Sequence, residues 1–206
     1  MKTTPLTLST RRTSTGFTLI ELLVVVAIIA LLAAGSVGAY GKFINSVKEK
    51  STAKYCVEIA GAISSFYADY DTLPVANTGS DWEGDTEDAD LIAVLIGSSD
   101  SETAKKKNPR HINYLDGFKQ AKKGRVAGTF EDGIDYSDPS APKIYDTWGQ
   151  ALKVVMDTDF NGKIENPITS DSVKDIRGKK AIVYSTGRPG EGNQPNTNEQ
   201  NFIKSW

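Results

Sequence analysis

Glu21 is the only charged side chain between Arg12 and Lys42, and it stands in a stretch, residues 17–41, that is apolar at 19 of 25 positions. An ionised carboxylate in such surroundings costs a few kcal/mol in lipid, so it calls for a partner and marks a functional position. A second set of residues has metal-ligand spacing. Asp157-Thr158-Asp159-Phe160-Asn161-Gly162-Lys163-Ile164 matches the first eight positions of an EF-hand-type calcium loop. Oxygen-bearing side chains alternate at Asp157, Asp159 and Asn161, a glycine makes the sharp turn, and Lys163 offers a backbone carbonyl. The twelfth position is Ile168, so the bidentate glutamate of that loop is missing, with Glu165 or Asp171 as alternative late ligands. The competing reading of the segment is a glycine-containing hairpin turn between strands, with solvated acids.

Other chemistry finds little to build on. The single cysteine, Cys56, excludes an intramolecular disulfide, and one Cys with one His excludes a Cys/His zinc cage. His111 sits in a basic stretch with no Ser/His/Asp set around it, and Gly187 to Gly192 lacks the Lys-Ser/Thr of a phosphate loop. We therefore expect no catalytic residues and no required cofactor, with calcium as the one ligand the pattern suggests. The 206 residues carry 24 Lys plus Arg against 26 Asp plus Glu, a net charge of -2 that excludes a generally basic nucleic-acid binder.

The apolar residues are unevenly spread. From Leu22 to Gly41 they form a run of about twenty residues, long enough to cross a bilayer as a helix, behind a polar leader carrying Lys2, Arg11 and Arg12. A cleaved secretory signal is one alternative, because Val37-Gly38-Ala39 offers small residues, but the helical pattern continues well past that point. A plain membrane anchor is another, and it leaves Glu21 unexplained.

The run Thr15-Gly16-Phe17-Thr18-Leu19-Ile20-Glu21-Leu22, with the apolar stretch behind it, resembles the class III signal of type IV pilins and type II secretion pseudopilins. That resemblance implies cutting by prepilin peptidase between Gly16 and Phe17 and N-methylation of Phe17. It implies three segments: a leader at 1–16, a membrane and filament-core helix at 17–41, and a periplasmic globular domain at 42–206. In a filament, Glu21 would pair with the α-amino group of a neighbouring subunit, so that two charges too costly to bury singly are buried together.

Beyond the membrane run, Cys56, Ile59, Ile63, Phe66 and Tyr70 recur at helical spacing, which predicts one helix from Phe17 to about Asp71, ended by Leu73-Pro74. Gly35, Gly38 and Gly41 would weaken it or pack closely against neighbours. A short apolar helix is expected at Leu91 to Ile96 and β structure at Gln150 to Met156, Lys180 to Ser185 and Asn201 to Trp206. The expected fold class is α+β: a long N-terminal helix packed on a small C-terminal antiparallel sheet. Two charge blocks lie between these elements. Residues 81–102 are acidic, and residues 105–125 are basic, holding Lys105, Lys106, Lys107, Arg110, Lys119, Lys122, Lys123 and Arg125. They read as a solvated face, as complementary contacts between subunits, or as a polyanion-binding surface.

Asp146-Thr147-Trp148-Gly149 is similar to the Asp-Pro-Trp-Gly of major pseudopilins, with Thr147 for proline, and Val183 to Gly190 resembles their Tyr-Ser-x-Gly turn. In that family acidic residues after this turn hold calcium, and here Pro189 stands where an aspartate is expected. The resemblance as a whole implies a structural subunit, not an enzyme, of a type II secretion pseudopilus. Its partners would be further copies of itself, minor pseudopilins or pilins, prepilin peptidase and the inner-membrane assembly platform, with no nucleic acid. Its precursor would cross the bacterial inner membrane once, with the C-terminal domain in the periplasm. A type IV pilus subunit for adhesion, motility or DNA uptake, and a membrane-anchored polyanion-binding module, are the alternatives.

Overall fold

The computed structural model describes residues 16–77, 79–124, 126–190 and 194–206, apart from the side chains of 35–39. All of the expected leader except Gly16 lies outside the described residues, as does Arg125 of the basic block. The chain divides into two compact units, Met1–Ile44 and Asn45–Trp206.

The backbone of helix α1 (Leu19–Tyr70) is continuous through Gly35, Gly38 and Gly41. In the first unit its start is capped locally. Thr18 precedes the helix, its hydroxyl accepts from the Glu21 N–H at 3.3 Å, and Glu21 reaches back to the Thr18 N–H at 2.8 Å. This reciprocal pair is a capping box, which satisfies two amide donors that the first helical turn leaves open. The side chains that follow are exposed on every face: Leu19, Ile20, Leu22, Leu23, Val24, Val25, Val26, Ile28, Ile29, Leu31 and Leu32. Among the described residues no helix is long and apolar enough to cross a membrane. The run expected to do so includes residues 35–39, whose side chains lie outside the described residues.

In the second unit, α1 is amphipathic. Tyr55, Cys56, Ile59, Ala62, Ile63 and Phe66 are buried along one stripe, with Tyr67 and Tyr70 partly buried beside it, while Val57 on another face is exposed. The helix stops where expected: Asp71 takes a left-handed φ of 52°, its N–H bonds the Tyr67 carbonyl, and Leu73 is buried just before Pro74. Helix α2 (Ala89–Ile96) begins at its N-cap Asp88, whose carboxylate accepts from the Leu91 N–H, and ends at Gly97 with φ 67°. Only glycine fits there, since an added Cβ would lie 2.6 Å from the His111 carbonyl carbon. A one-and-a-half-turn helix, α3 (Glu102–Lys107), follows.

Four strands form the main sheet: β1 (Trp82–Asp85), β6 (Lys153–Met156), β9 (Ala181–Ser185) and β10 (Ile203–Lys204), in the order β1-β6-β9-β10, all pairs antiparallel. Three small ribbons complete the β structure: β2 (Lys122–Lys123) with β3 (Phe130–Glu131), β4 (Gly133–Asp135) with β5 (Lys143–Tyr145), and β7 (Lys163–Glu165) with β8 (Asp175–Arg177). Strand alternation divides the sheet residues between two apolar clusters. Val154, Met156, Ala181 and Val183 join the α1 cluster, whereas Val155 and Ile182 pack with Ile164 and Ile176 on the other side. The α+β expectation therefore holds. Strand β1 is a departure: the acidic stretch, where no strand was expected, supplies a sheet edge, because Trp82 to Asp85 pair with Met156 to Lys153 and the Lys153 ammonium meets Asp85 at 2.9 Å.

Candidate functional site

The carboxylates of Asp81, Asp157 and Asp159 each place an oxygen within 4.8 Å of the others. The sheet brings them together. Trp82 pairs with Met156, so Asp81 and Asp157 lie one step beyond the last pair of the antiparallel β1–β6 ladder, one on each strand's extension. The Thr158 hydroxyl donates to the Ser80 carbonyl and pins the two segments side by side. Asp157 is almost wholly buried, with 1% of its surface exposed. Its Oδ2 accepts from the Gly162 N–H at 3.2 Å and faces the Lys180 ammonium at 4.0 Å. Its Oδ1 is buried with no hydrogen-bond partner, and so is Oδ1 of Asp81. Burial, with the Asp159, Asp157 and Glu83 carboxylates nearby, pushes the Asp81 carboxyl up from its usual range, against the pull of the Glu165 backbone N–H.

Two of the residues that the sequence pattern assigned to a metal, Asp157 and Asp159, lie in this cluster. Asn161 braces Asp159, donating from its backbone N–H to Oδ1 at 3.0 Å and from its amide to Oδ2 at 2.7 Å, and its own Oδ1 accepts from the Lys163 N–H. Gly162, at φ 79°, makes the turn into β7. Asp81 was invisible to the loop pattern, because its neighbour in space lies across the sheet. Of the late ligands considered, Asp171 is instead paired with Lys204 at 2.7 Å, and Glu165 stands exposed on β7 opposite Asp175. The loop after the Tyr184-Ser185 turn does not fit a calcium ion as far as it is described: residues 186–190 hold no carboxylate, and Glu199 beyond it is engaged by Thr169 and Ser170.

The two stretches that resembled pseudopilin turns meet at a buried aspartate. Asp146 Oδ1 accepts from the N–H groups of Trp148 and Gln150, and Oδ2 accepts from the Ser185 hydroxyl at 2.7 Å. Thr147, in the proline position, bonds α1 directly: its hydroxyl donates to the Lys48 carbonyl at 3.1 Å and accepts from Thr52 at 2.9 Å, while the Lys48 ammonium reaches the Thr147 carbonyl at 2.8 Å.

The basic block is spent largely within the chain. Lys119 and Lys122 grip Asp132, Lys107 donates to the carbonyls of Leu73 and Val75, Arg110 lies over Tyr70 and near Asp69, and Lys105 pairs with Glu102. His111 is likewise structural, its Nδ1 donating to the Gly97 carbonyl at 3.0 Å. At the other end of the chain, Phe17 is 82% exposed and Glu21 is exposed beside it in its capping box.

Residues 11–37 match the family model described as the prokaryotic N-terminal methylation motif, the class III signal found on type IV pilins and pseudopilins and read by prepilin peptidase. The match spans Gly16, Phe17 and Glu21. No curated protein and no solved structure matches the chain significantly.

Proposed function

We propose that this chain is a structural subunit of a helical filament, made as a membrane-inserted precursor, cut by prepilin peptidase between Gly16 and Phe17, and methylated on Phe17. The observation that supports this reading is a helix start that combines the methylation motif with an all-apolar, all-exposed surface around one carboxylate. A helix that is apolar all round needs burial on every side. Lipid supplies it for the precursor, with the run from Leu22 to Gly41 in the inner membrane and the domain from residue 42 onward in the periplasm. Neighbouring copies of the same helix supply it in the filament.

Glu21 has two successive roles in this scheme. In the subunit it caps its own helix through Thr18. In the filament it meets the methylated ammonium of an adjacent copy, and a pair of opposite charges sets the register that apolar packing alone leaves free. Because lone charges are costly in lipid, the pairing also makes half-assembled contacts unfavourable.

Within this class we assign the chain to the type II secretion pseudopilus. The support is the pair of turns joined at Asp146 and Ser185, which resemble those of major pseudopilins. Its partners are then further copies of itself, minor pseudopilins and the inner-membrane assembly platform, which supplies the energy. A polyanion-binding module is disfavoured by the intramolecular use of Lys105, Lys107, Arg110, Lys119 and Lys122.

Mass spectrometry of the native N-terminus tests the processing step. An N-methylated Phe17 is expected; an intact Met1, or an N-terminus near Tyr40, overturns it. Deleting the coding gene separates the two filament types: loss of protein export with surface pili intact supports the pseudopilus, and loss of pili with export intact overturns that assignment.

A further inference from the structure

We propose that Asp81, Asp157 and Asp159 bind a calcium ion that closes the open end of the β1–β6 ladder. Three observations carry the site, and none depends on the filament reading. First, the oxygens of the three carboxylates lie within 4.8 Å of one another. Two oxygens that each touch calcium at roughly 2.4 Å can be at most about 4.8 Å apart, so the cluster already has the dimensions of a calcium shell. Second, Oδ1 of the buried Asp157 and Oδ1 of Asp81 lack any donor. A buried carboxylate oxygen without a partner carries its full desolvation cost, which a cation in contact with it removes. Third, the charge does not balance within the chain. The cation nearest Asp157 is Lys180, at 4.0 Å, and its ammonium is also held over the rings of Tyr67 and Phe160 at 4.5 and 5.0 Å. Three carboxylates against one ammonium leave a deficit that a divalent ion meets.

The donor chemistry selects the ion. All three ligands are hard oxygens, with no His or Cys, which disfavours zinc. They come from two separate segments of the chain, which suits calcium, with its flexible six to eight ligands, better than magnesium, which demands a compact octahedron. Asn161 orients Asp159 through its two hydrogen bonds, and its own Oδ1, the carbonyl of Lys163 and water are the remaining oxygens available to the shell.

The ion would convert a like-charge pair across two strand ends into a crosslink between the segment after α1 and the β6–β7 loop. Without it, Asp81 and Asp157 repel where cross-strand neighbours should attract.

The test uses the full chain in detergent micelles, with equilibrium dialysis against radioactive calcium and thermal unfolding in EDTA, calcium or magnesium. One saturable calcium per chain is expected, with a Kd of roughly 10⁻⁵ to 10⁻³ M, and a melting temperature several degrees higher in millimolar calcium than in EDTA. Asp81→Asn and Asp159→Asn should each weaken calcium binding by about tenfold or more. In EDTA the Asp81→Asn chain should melt at or above the wild-type temperature, because a repulsion has been removed, whereas loss of a merely structural residue would lower it. Absence of saturable calcium binding by the wild type, binding unchanged in Asp81→Asn, or tighter binding of magnesium overturns the assignment. Should a variant fail to fold, the wild-type stoichiometry and the calcium-against-magnesium comparison still decide.

Discussion

Asn108 is wholly buried and has no ionisable group, yet it ties three segments together. Its Oδ1 accepts from the Tyr70 hydroxyl and the Ile112 N–H, and its amide donates to the carbonyls of Val94 and Ile112. Asn108→Ala leaves those groups unpaired, and urea unfolding should show a loss of about 2–4 kcal/mol. Asp132 gives a pH-dependent counterpart. Burial alone would raise its carboxyl, but hydrogen bonds from Lys119, Lys122 and Tyr55 outweigh burial and hold it below the usual 3.8. A carboxyl lowered in the folded state adds stability above its unfolded value, and that contribution disappears as pH falls through the folded one. Asp132→Asn keeps the left-handed backbone that asparagine tolerates. It should therefore cost about 1 kcal/mol at pH 7, with both lysines largely exposed, and the gap from wild type should close as pH falls through the lowered value of the folded carboxyl. A constant gap in urea midpoints across that range would contradict the charge account.

At the scale of elements, the α1 stripe was legible because 3.6-residue periodicity is a local signal, and every residue assigned to it is buried or packed on the core. Phe66→Ala should cost about 3–5 kcal/mol, whereas Val57→Lys, one face away and exposed, should change thermal stability by less than about 0.5 kcal/mol. Strand β1 was not legible. Its sequence, Trp82-Glu83-Gly84-Asp85, lacks β-branched residues and takes strand form because β6 offers it an unpaired edge. Missing β1 meant missing Asp81, since only the Trp82 to Met156 register brings it to a loop more than seventy residues away. The loop itself was readable, because oxygen ligands at alternate positions followed by glycine are written in consecutive residues. The joining of Asp146 to Ser185 likewise needed the sheet.

For the whole molecule, the near-neutral charge of -2 concealed two blocks of opposite sign, and the structure shows the basic one engaged largely within the chain, leaving it little charge to offer the acidic block of another copy. Filaments should therefore resist dissociation in molar salt, as a light-scattering or sedimentation assay would show; release of subunits on raising salt would restore the view that the blocks meet between copies. The single cysteine bears on every such experiment. Cys56 has no exposed surface, and burial, with Asp146 nearby, pushes its thiol up to about 12. A thiol so enclosed is almost never a thiolate and reacts only when α1 parts from the sheet. At a maleimide concentration high enough to outpace reclosing, attachment to the native protein should thus proceed at the rate of global opening. The chain carries its own clock for the lifetime of its folded state, readable in intact cells without any engineered label.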